Sequence, residues 1–380
     1  MKQILLVPDS FKGTLTSRQV CETMAEQLHL VFPEADITSL PVADGGEGSV
    51  DAFLAAAGGE RVELPVTGPF GEQVRGFYGL LPDGETAVLE MAACAGLPLA
   101  EGRLDPERAT TYGVGELILD AIRRGRRKVI LGLGGSCTND GGVGAAAALG
   151  AKFTRQDGTE FLPTGGTLQE IAALDCTPVA KALEGVELVA MCDIDNPLYG
   201  ENGAAYVFAP QKGADGPMVE RLDQGLRHLG QVAGRCLGRD LSQMPGAGAA
   251  GGLGFGMAAF CGARLRMGID VVLDTLGFDK RLPSADLVFT GEGKIDFQSL
   301  RGKVVSGVCG RAKRAGVPVI AVVGQIGPGF EPMYDQGLSA VFSVNRAAQP
   351  FFESRHHARE NLALAMENIA RTLALRPGNV

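Results

Sequence analysis

The sequence predicts an α/β protein with a doubly wound, flavodoxin- or Rossmann-like parallel sheet domain into which a second α/β domain is inserted. Short apolar runs alternate with amphipathic helical stretches at both ends of the chain, which is typical of buried parallel strands. The middle of the chain carries strands separated by turn signals. With 380 residues, the chain is long enough for two domains.

The first domain, residues 1–60 plus 281–380, is predicted from two N-terminal and three C-terminal strands. A helix capped by Thr16 or Ser17 follows the first strand, and Gly58 ends the next helix. Together the five strands form a doubly wound sheet whose loops at the strand carboxyl ends bind ligands. The strands are residues 4–7, 37–40, 285–290, 317–323 and 340–343, and later helices are residues 304–315 and 355–373.

The inserted domain, residues 61–280, begins with three predicted antiparallel strands at residues 62–66, 74–80 and 86–90. A helix at residues 109–123, a buried strand at residues 129–133 and a helix of small residues after Asp140 follow. An alternative assigns the strand at 129–133 to the first sheet, which would move the boundaries by tens of residues.

Composition excludes several classes of protein. The net charge of −9 argues against nucleic-acid binding. No two of the eight cysteines have a CxxC spacing, so neither a zinc site nor a disulfide framework is indicated. The four histidines lie outside any HExxH motif, and GxSxG is absent, which disfavours a hydrolase. The first strand starts too early for a signal peptide, and no long apolar run occurs, so we expect a cytoplasmic protein without membrane contact.

Five segments place glycines directly beside acidic, lysyl and hydroxyl residues. Glycine permits close backbone approach to a ligand, carboxylates suit Mg²⁺, and lysine neutralises phosphate charge. The set therefore predicts transfer of a phosphoryl group. The segments are residues 9–13, 44–48, 132–142, 193–196 and 291–296.

Three of these segments follow strands of the first domain. Lys12 is the predicted anion anchor, and we expect Lys12, Asp44, Glu47 and Glu292 to converge at one edge of the sheet. A surface loop lysine and an ordinary turn are the alternatives for Lys12 and Asp44. The predicted substrate-binding residues are Asp9, Ser10, Asp44, Glu47, Glu292 and Lys294, and Lys12 and Asp296 are candidate catalytic residues.

Residues 132–142 lead from a buried strand into a helix, which places hydroxyl and backbone N–H groups at a helix N-terminus, a typical anion site. A tight turn with an Asn or Asp cap is the alternative. The predicted nucleotide phosphate-binding residues are Gly134, Gly135, Ser136, Thr138 and Asn139.

Residues 246–251 satisfy G-x-G-x-x-G, but no strand precedes them. This favours a glycine-rich segment packed closely on a neighbour over a dinucleotide fingerprint, and a phosphate-lining role is left open.

Asp193 and Asp195 follow a further buried strand, and strand alternation would send both side chains to one side. Such a pair could hold Mg²⁺ or accept a proton. Asp193 is the predicted catalytic base, since no histidine lies in any candidate segment. An Asx-turn before Pro197 is the alternative.

These segments, in this order, closely resemble the class I family of bacterial glycerate kinases, and the resemblance covers essentially the whole chain. It implies ATP-dependent phosphorylation of D-glycerate, in most bacterial members at the 2-hydroxyl to give 2-phosphoglycerate, in a cleft between two α/β domains; the residues alone leave the position of transfer open. A non-catalytic binding sensor and a kinase of hydroxypyruvate or tartronate are the alternatives, and the oligomeric state is left open. The matching segments are residues 8–13, 43–48, 134–142, 193–198, 208–213, 251–256 and 290–296.

Overall fold

A computed structural model describes residues 1–42, 46, 48–300, 302–347 and 350–375. The chain divides into two compact units. Unit 1 comprises Met1–Asp44, Ala55–Ala57 and Gly268–Val380, and unit 2 comprises Gly45–Leu54 and Gly58–Met267. Within the described ranges, no helix has the length and apolar character needed to cross a membrane.

The strands of both units are numbered along the chain. They are β1 (Gln3–Pro8), β2 (Asp36–Ser39), β3 (Glu60–Thr67), β4 (Gln73–Leu80), β5 (Thr86–Glu90), β6 (Lys128–Gly132), β7 (Lys152–Thr154), β8 (Glu160–Phe161), β9 (Ala173–Asp175), β10 (Glu187–Met191), β11 (Arg264–Arg266), β12 (Leu287–Gly291), β13 (Lys294–Ile295), β14 (Val319–Val323), β15 (Gln325–Ile326) and β16 (Leu338–Ser343).

The α-helices are numbered in the same way. They are α1 (Ser17–Val31), α2 (Ser49–Ala57), α3 (Ala92–Ala95), α4 (Tyr112–Arg123), α5 (Val143–Ala148), α6 (Thr177–Ala182), α7 (Ala204–Phe208), α8 (Gly216–Leu237), α9 (Ala249–Cys261), α10 (Gly268–Thr275), α11 (Phe278–Arg281), α12 (Val304–Ala315), α13 (Phe351–Ser354) and α14 (Ala358–Leu373).

The sheet of unit 1 is parallel and has the order β16-β14-β12-β1-β2. Counted along this unit, the order is 2-1-3-4-5, that of flavodoxin-like doubly wound sheets, so the predicted fold class is confirmed. Burial on both faces explains the continuous apolar runs, because β1 after its first residue and all of β12 and β14 are buried. The switch point lies between β1 and β12, where such folds bind ligands.

Helices α1 and α14 cover one face of this sheet. Their apolar side chains recur at helical spacing and pack with Ile4, Leu6 and Phe289 in one core cluster. The N-terminus of α1 has the predicted cap: the Thr16 hydroxyl accepts from the Gln19 backbone N–H, and Gln19 reaches back to the Thr16 N–H in a capping box.

The sheet of unit 2 has the order β11-β10-β6-β5-β4-β3. The pairs β3–β4 and β4–β5 are antiparallel as predicted, and the remaining pairs are parallel. Strand β6 pairs with β5 and β10, so the alternative that placed it in the first sheet is wrong. Strands β7–β9 form a separate small sheet that the sequence did not predict, because strands of two or three residues carry too little periodicity.

Candidate active site

A cavity of about 610 Å³ lies at the switch point of the unit 1 sheet. Five residues predicted from the loops after β1 and β12 line it together. They are Asp9, Ser10, Lys12, Glu292 and Lys294. The strand order explains this, because β1 and β12 are neighbours and Pro8 lies opposite Gly291. The backbone N–H of Asp9 donates to the carbonyl of Gly291 at 2.8 Å, which joins the two loops at their base.

Glu292 is the most deeply buried charged residue of this cavity, with 6% of its surface exposed. Its Oε1 atom is buried and has no hydrogen-bond partner among the described residues. Burial raises the pKa of this carboxyl, while Ser299, Lys303 and Lys12 oppose the rise. A buried carboxylate oxygen without a donor is costly, so this position fits the hydroxyl of a ligand.

Four cationic side chains among the described residues share this cavity with Glu292. Lys12, Lys294, Lys303 and Arg355 all line the cavity, so an anionic ligand would be attracted there. Sequence reasoning missed Lys303 and Arg355, since one precedes α12 and the other follows α13, outside every glycine-containing segment.

The remaining predicted residues of unit 1 have different positions. Asp296 is not among the residues that line the cavity. Its Oδ2 forms an ion pair with Lys294 Nζ at 2.9 Å, and the hydrogen bond from Lys294 lowers the pKa of the Asp296 carboxyl. Asp44 and Glu47 lie outside the described residues, so their predicted roles stay predictions.

In unit 2, residues 134–140 follow β6 and form a loop that we call the phosphate loop after the role predicted for it from the sequence. The segment 95–97 holds it in place: the N–H of Leu97 donates to the Gly135 carbonyl at 2.9 Å, and the N–H of Cys137 donates to the Ala95 carbonyl at 3.0 Å. Gly134 and Gly135 are the accessible part of the loop, and Ser136 to Asp140 are buried.

The helix N-terminus predicted to bind an anion is already occupied by the chain itself. The Asp140 carboxylate accepts from the N–H groups of Gly142 and Gly144 at the start of α5, and from the N–H and hydroxyl of Thr111. Burial raises the pKa of Asp140 against these hydrogen bonds. With six residues α5 is also short, so a ligand at this loop must use other donors.

Lys212 lies against this loop; it belongs to the matching segment 208–213, but no role was predicted for it from the sequence. Its Nζ donates to Ser136 Oγ and to the Thr138 carbonyl, both at 2.7 Å. Beside it, Thr138 Oγ1 and both amide atoms of Asn139 are buried without a hydrogen-bond partner in the described part of the chain. Unpaired buried polar atoms are rare in proteins, which makes this loop a candidate site for a polar ligand.

The glycine-rich segment 246–251 packs closely on its neighbours, as predicted. A Cβ atom at Gly251 would lie 2.0 Å from the Thr138 carbonyl oxygen, and one at Gly248 would lie 2.3 Å from that of Pro197. The N–H of Gly141 also donates to the Gly251 carbonyl at 3.0 Å. The segment thus joins the phosphate loop to the segment around Asp193, and only glycine allows this approach.

Asp193 is half-buried and Asp195 is exposed. Strand β10 ends at Met191, so strand alternation does not extend to these carboxylates and does not determine their directions. The N–H of Cys192 donates to the backbone carbonyl of Arg266, and the N–H of Gly248 donates to the backbone carbonyl of Asn196. These two hydrogen bonds hold both ends of the segment. No group of three or more His, Cys, Asp or Glu side chains that could hold a metal occurs in the described residues.

Comparison with known proteins decides the family. Residues 4–374 match the glycerate kinase family. The chain belongs to this family. It is 43% identical to the glycerate kinase of Bacillus subtilis (strain 168) over 374 residues, and 42% identical to the glycerate 2-kinase of Escherichia coli (strain K12) over 375 residues, with 98% of each chain covered in both cases. The predicted resemblance and the prediction of a kinase are confirmed.

A solved structure agrees. A crystal structure described as a candidate glycerate kinase 2 from Salmonella typhimurium LT2 has a TM-score of 0.88 and 41% identity to this chain, covering 98% of both chains.

Glu90 is a further buried carboxylate of this glycerate kinase family member, and it was not predicted from the sequence. It is the last residue of β5, and 2% of its surface is exposed. Its Oε2 accepts a hydrogen bond at 3.3 Å from the N–H of Val50, which lies in the first turn of α2. Burial raises its pKa from 4.5 to about 7, although the N–H groups of residues 48–50 oppose the rise.

We expect Glu90→Gln to remove a pH dependence of stability. Between pH 4.5 and about 7 the folded chain holds a proton that the unfolded chain has lost, so stability falls as pH rises through this window. The full effect is on the order of 3 kcal/mol. Urea unfolding at pH 5 and pH 8 measures it: the wild type should lose more stability than Glu90→Gln. Equal pH slopes in the two proteins would show that the Glu90 pKa is ordinary.

Proposed function

We propose that this chain is an ATP-dependent kinase that phosphorylates the 2-hydroxyl of D-glycerate with Mg²⁺ as the essential metal, in the cytoplasm. The observation that carries the proposal is Glu292 Oε1, a buried carboxylate oxygen without a partner in the described residues, beside Lys12 and Lys303 in one cavity. Glycerate offers the matching groups, a hydroxyl for the carboxylate and a carboxylate for the lysines.

The second part of the site is proposed to be the phosphate loop of unit 2. Its accessible glycines allow close approach of phosphate oxygens, and Ser136, Thr138 and Asn139 supply side-chain groups. Asp193 is proposed as the group that accepts the hydroxyl proton. The proposal takes the two units as the domains of the enzyme and, as the resemblance implies, places the reaction in a cleft to which both contribute.

Asp193 and Asp195 are also the candidate carboxylate ligands of Mg²⁺, and for Asp193 this role is the alternative to accepting the proton. Only in the role of base would its loss leave the affinity for MgADP near normal. Mg²⁺ is commonly held by one or two carboxylates together with substrate phosphates and waters, so two carboxylates suffice when ATP carries the ion. When bound, the ion neutralises charge on the transferring phosphoryl group. The chain's own residues orient the hydroxyl and the phosphates around it.

The decisive assay combines the purified protein with ATP, Mg²⁺ and D-glycerate and identifies the product by NMR. We expect 2-phosphoglycerate and ADP, with hydroxypyruvate and tartronate used less efficiently by kcat/KM. Formation of 3-phosphoglycerate would contradict the position of transfer. Tight binding of glycerate or nucleotide without turnover would instead identify a sensor.

Activity should require a divalent cation. Removing the metal with EDTA is expected to abolish phosphorylation, and added Mg²⁺ should restore it, because the acidic segment favours a hard cation. Rescue by Zn²⁺ alone, or full turnover in EDTA, would disprove the magnesium assignment.

Replacing Gly135 with Val should weaken ATP binding more than glycerate binding, because a branched side chain blocks backbone approach to phosphate oxygens. Gly135 has a φ of +79°, so the substitution also strains the backbone. Gly158→Val is the matched control, with a φ of +83° and no heavy atom within 4 Å of the added Cβ. Calorimetric titration with ADP separates the two effects; equal ADP affinity in both folded variants would make the loop structural.

A further inference from the structure

Lys212 is buried in an uncommon way for a lysine. It ends a short 3₁₀ turn, Pro210–Lys212, and only 1% of its surface is exposed. Its ammonium group donates to two neutral oxygens, Ser136 Oγ and the Thr138 carbonyl. Burying a charge against neutral acceptors is costly, which points to a ligand that this charge would attract.

The hydrogen bond to Ser136 sets the direction in which that hydroxyl can donate. Lysine has no acceptor, so Ser136 Oγ must accept from Nζ, and the hydroxyl hydrogen is left for another partner. The accessible side of the loop is formed by Gly134 and Gly135. A hydroxyl donor, glycine N–H groups and a positive charge in one loop match the oxygens of a phosphoryl group.

A second observation points to the same ligand. Thr138 Oγ1, Asn139 Nδ2 and Asn139 Oδ1 are buried and lack partners among the described residues, although Thr138 and Asn139 are 0% exposed. They adjoin the Thr138 carbonyl that Lys212 holds. The ammonium group of Lys212 therefore lies close to the side chains of Thr138 and Asn139, whose polar atoms have no hydrogen-bond partner in the described residues.

We propose that Lys212 is a positioning residue of the phosphate loop, which holds Ser136 as a hydrogen-bond donor to a phosphoryl oxygen of the nucleotide. The inference rests on the proposed function in taking ATP as the phosphoryl donor. Lys212 acts through Ser136 and the loop, and its positive charge adds to the attraction of the anion.

The charge of Lys212 depends on pH within an accessible range. Burial lowers its pKa to about 8, and the negative charge of the nearby Asp140 carboxylate opposes this. The pKa of Cys137 is itself raised to about 11, so the thiol stays neutral near pH 8. Nucleotide affinity should therefore fall as pH rises above 8, where Lys212 loses its proton.

The test compares Lys212→Met, Lys212→Arg, Ser136→Ala and the double variant Lys212→Met/Ser136→Ala. Lys181→Met, an exposed lysine of α6, is the control. The Kd for MgADP is measured by calorimetry without glycerate, together with Tm and the KM of each substrate. We expect Lys212→Met to weaken MgADP about 10²-fold, the scale for removing one partner of a buried charged hydrogen bond.

Three further results are expected. The double variant should bind MgADP no more weakly than Lys212→Met, because both changes remove one interaction. The KM for glycerate should change far less than the Kd for MgADP. Lys212→Arg should keep part of the affinity and lose the decline above pH 8, because arginine does not titrate there.

Additive losses in the double variant, or equal losses for glycerate and nucleotide, would overturn the proposal in favour of a purely structural lysine. If Lys212→Met does not fold, Ser136→Ala decides: unchanged MgADP affinity overturns it. A wild type that binds MgADP through Lys212 and Ser136 but does not phosphorylate glycerate would contradict the proposed function alone.

Discussion

Replacing Asp193 with asparagine is expected to lower kcat by about 10²- to 10⁴-fold while ATP affinity stays near normal, the usual range for a positioned acid or base. Asparagine has nearly the same size as aspartate but cannot accept the hydroxyl proton. The segment around Asp193 is fixed at Cys192 and Asn196, so the substitution should leave the backbone in place. Steady-state kinetics and MgADP titration measure the two quantities.

The matched control is Asp157→Asn, an exposed turn carboxylate of unit 2 whose Oδ1 accepts from the N–H of Thr159 and is retained in asparagine. Its kcat should equal that of the wild type. A nearly normal kcat in Asp193→Asn would move the role elsewhere. Loss of turnover in Asp44→Asn, Asp296→Asn or Glu292→Gln would then identify the proton acceptor, and Glu292 has the raised pKa that suits it.

Lys12→Ala is expected to lower kcat/KM for glycerate by a factor that corresponds to about 2–4 kcal/mol of lost binding free energy. This is the cost of removing one partner of a buried charge pair. Lys12 lines the cavity beside Glu292 but is exposed in the structure, so this magnitude requires that bound glycerate covers the ammonium group. The loss should appear in glycerate binding or turnover, with ATP affinity little changed.

Lys280→Ala, an exposed lysine of α11 in the same unit, is the control and should behave as the wild type. Lys303→Ala tests the competing cation in the cavity. If Lys303→Ala loses glycerate affinity while kcat/KM of Lys12→Ala is unchanged, Lys303 binds the carboxylate and the assignment of Lys12 is wrong.

Most of the fold could be predicted from local pattern. The buried runs of β1, β12 and β14 are continuous because these strands are covered on both faces, and the Thr16 capping box marks the start of α1. The loops after β1 and β12 could also be predicted to meet, since parallel strands end at one edge. A strand of two residues such as β8 is too short for a periodic pattern to predict it.

The sequence by itself determined which residues could do chemistry: a loop lysine, glycines beside hydroxyls and carboxylates at strand ends. The tertiary structure decided what surrounds each of them. It showed that Asp140 occupies the N–H groups at the start of α5, that Lys212 is buried against Ser136, and that Glu292 keeps an oxygen without a partner in the described residues. Periodicity and turn chemistry act over a few neighbouring residues, whereas burial and hydrogen-bond pairing depend on contacts such as that between residues 136 and 212, which lie 76 positions apart.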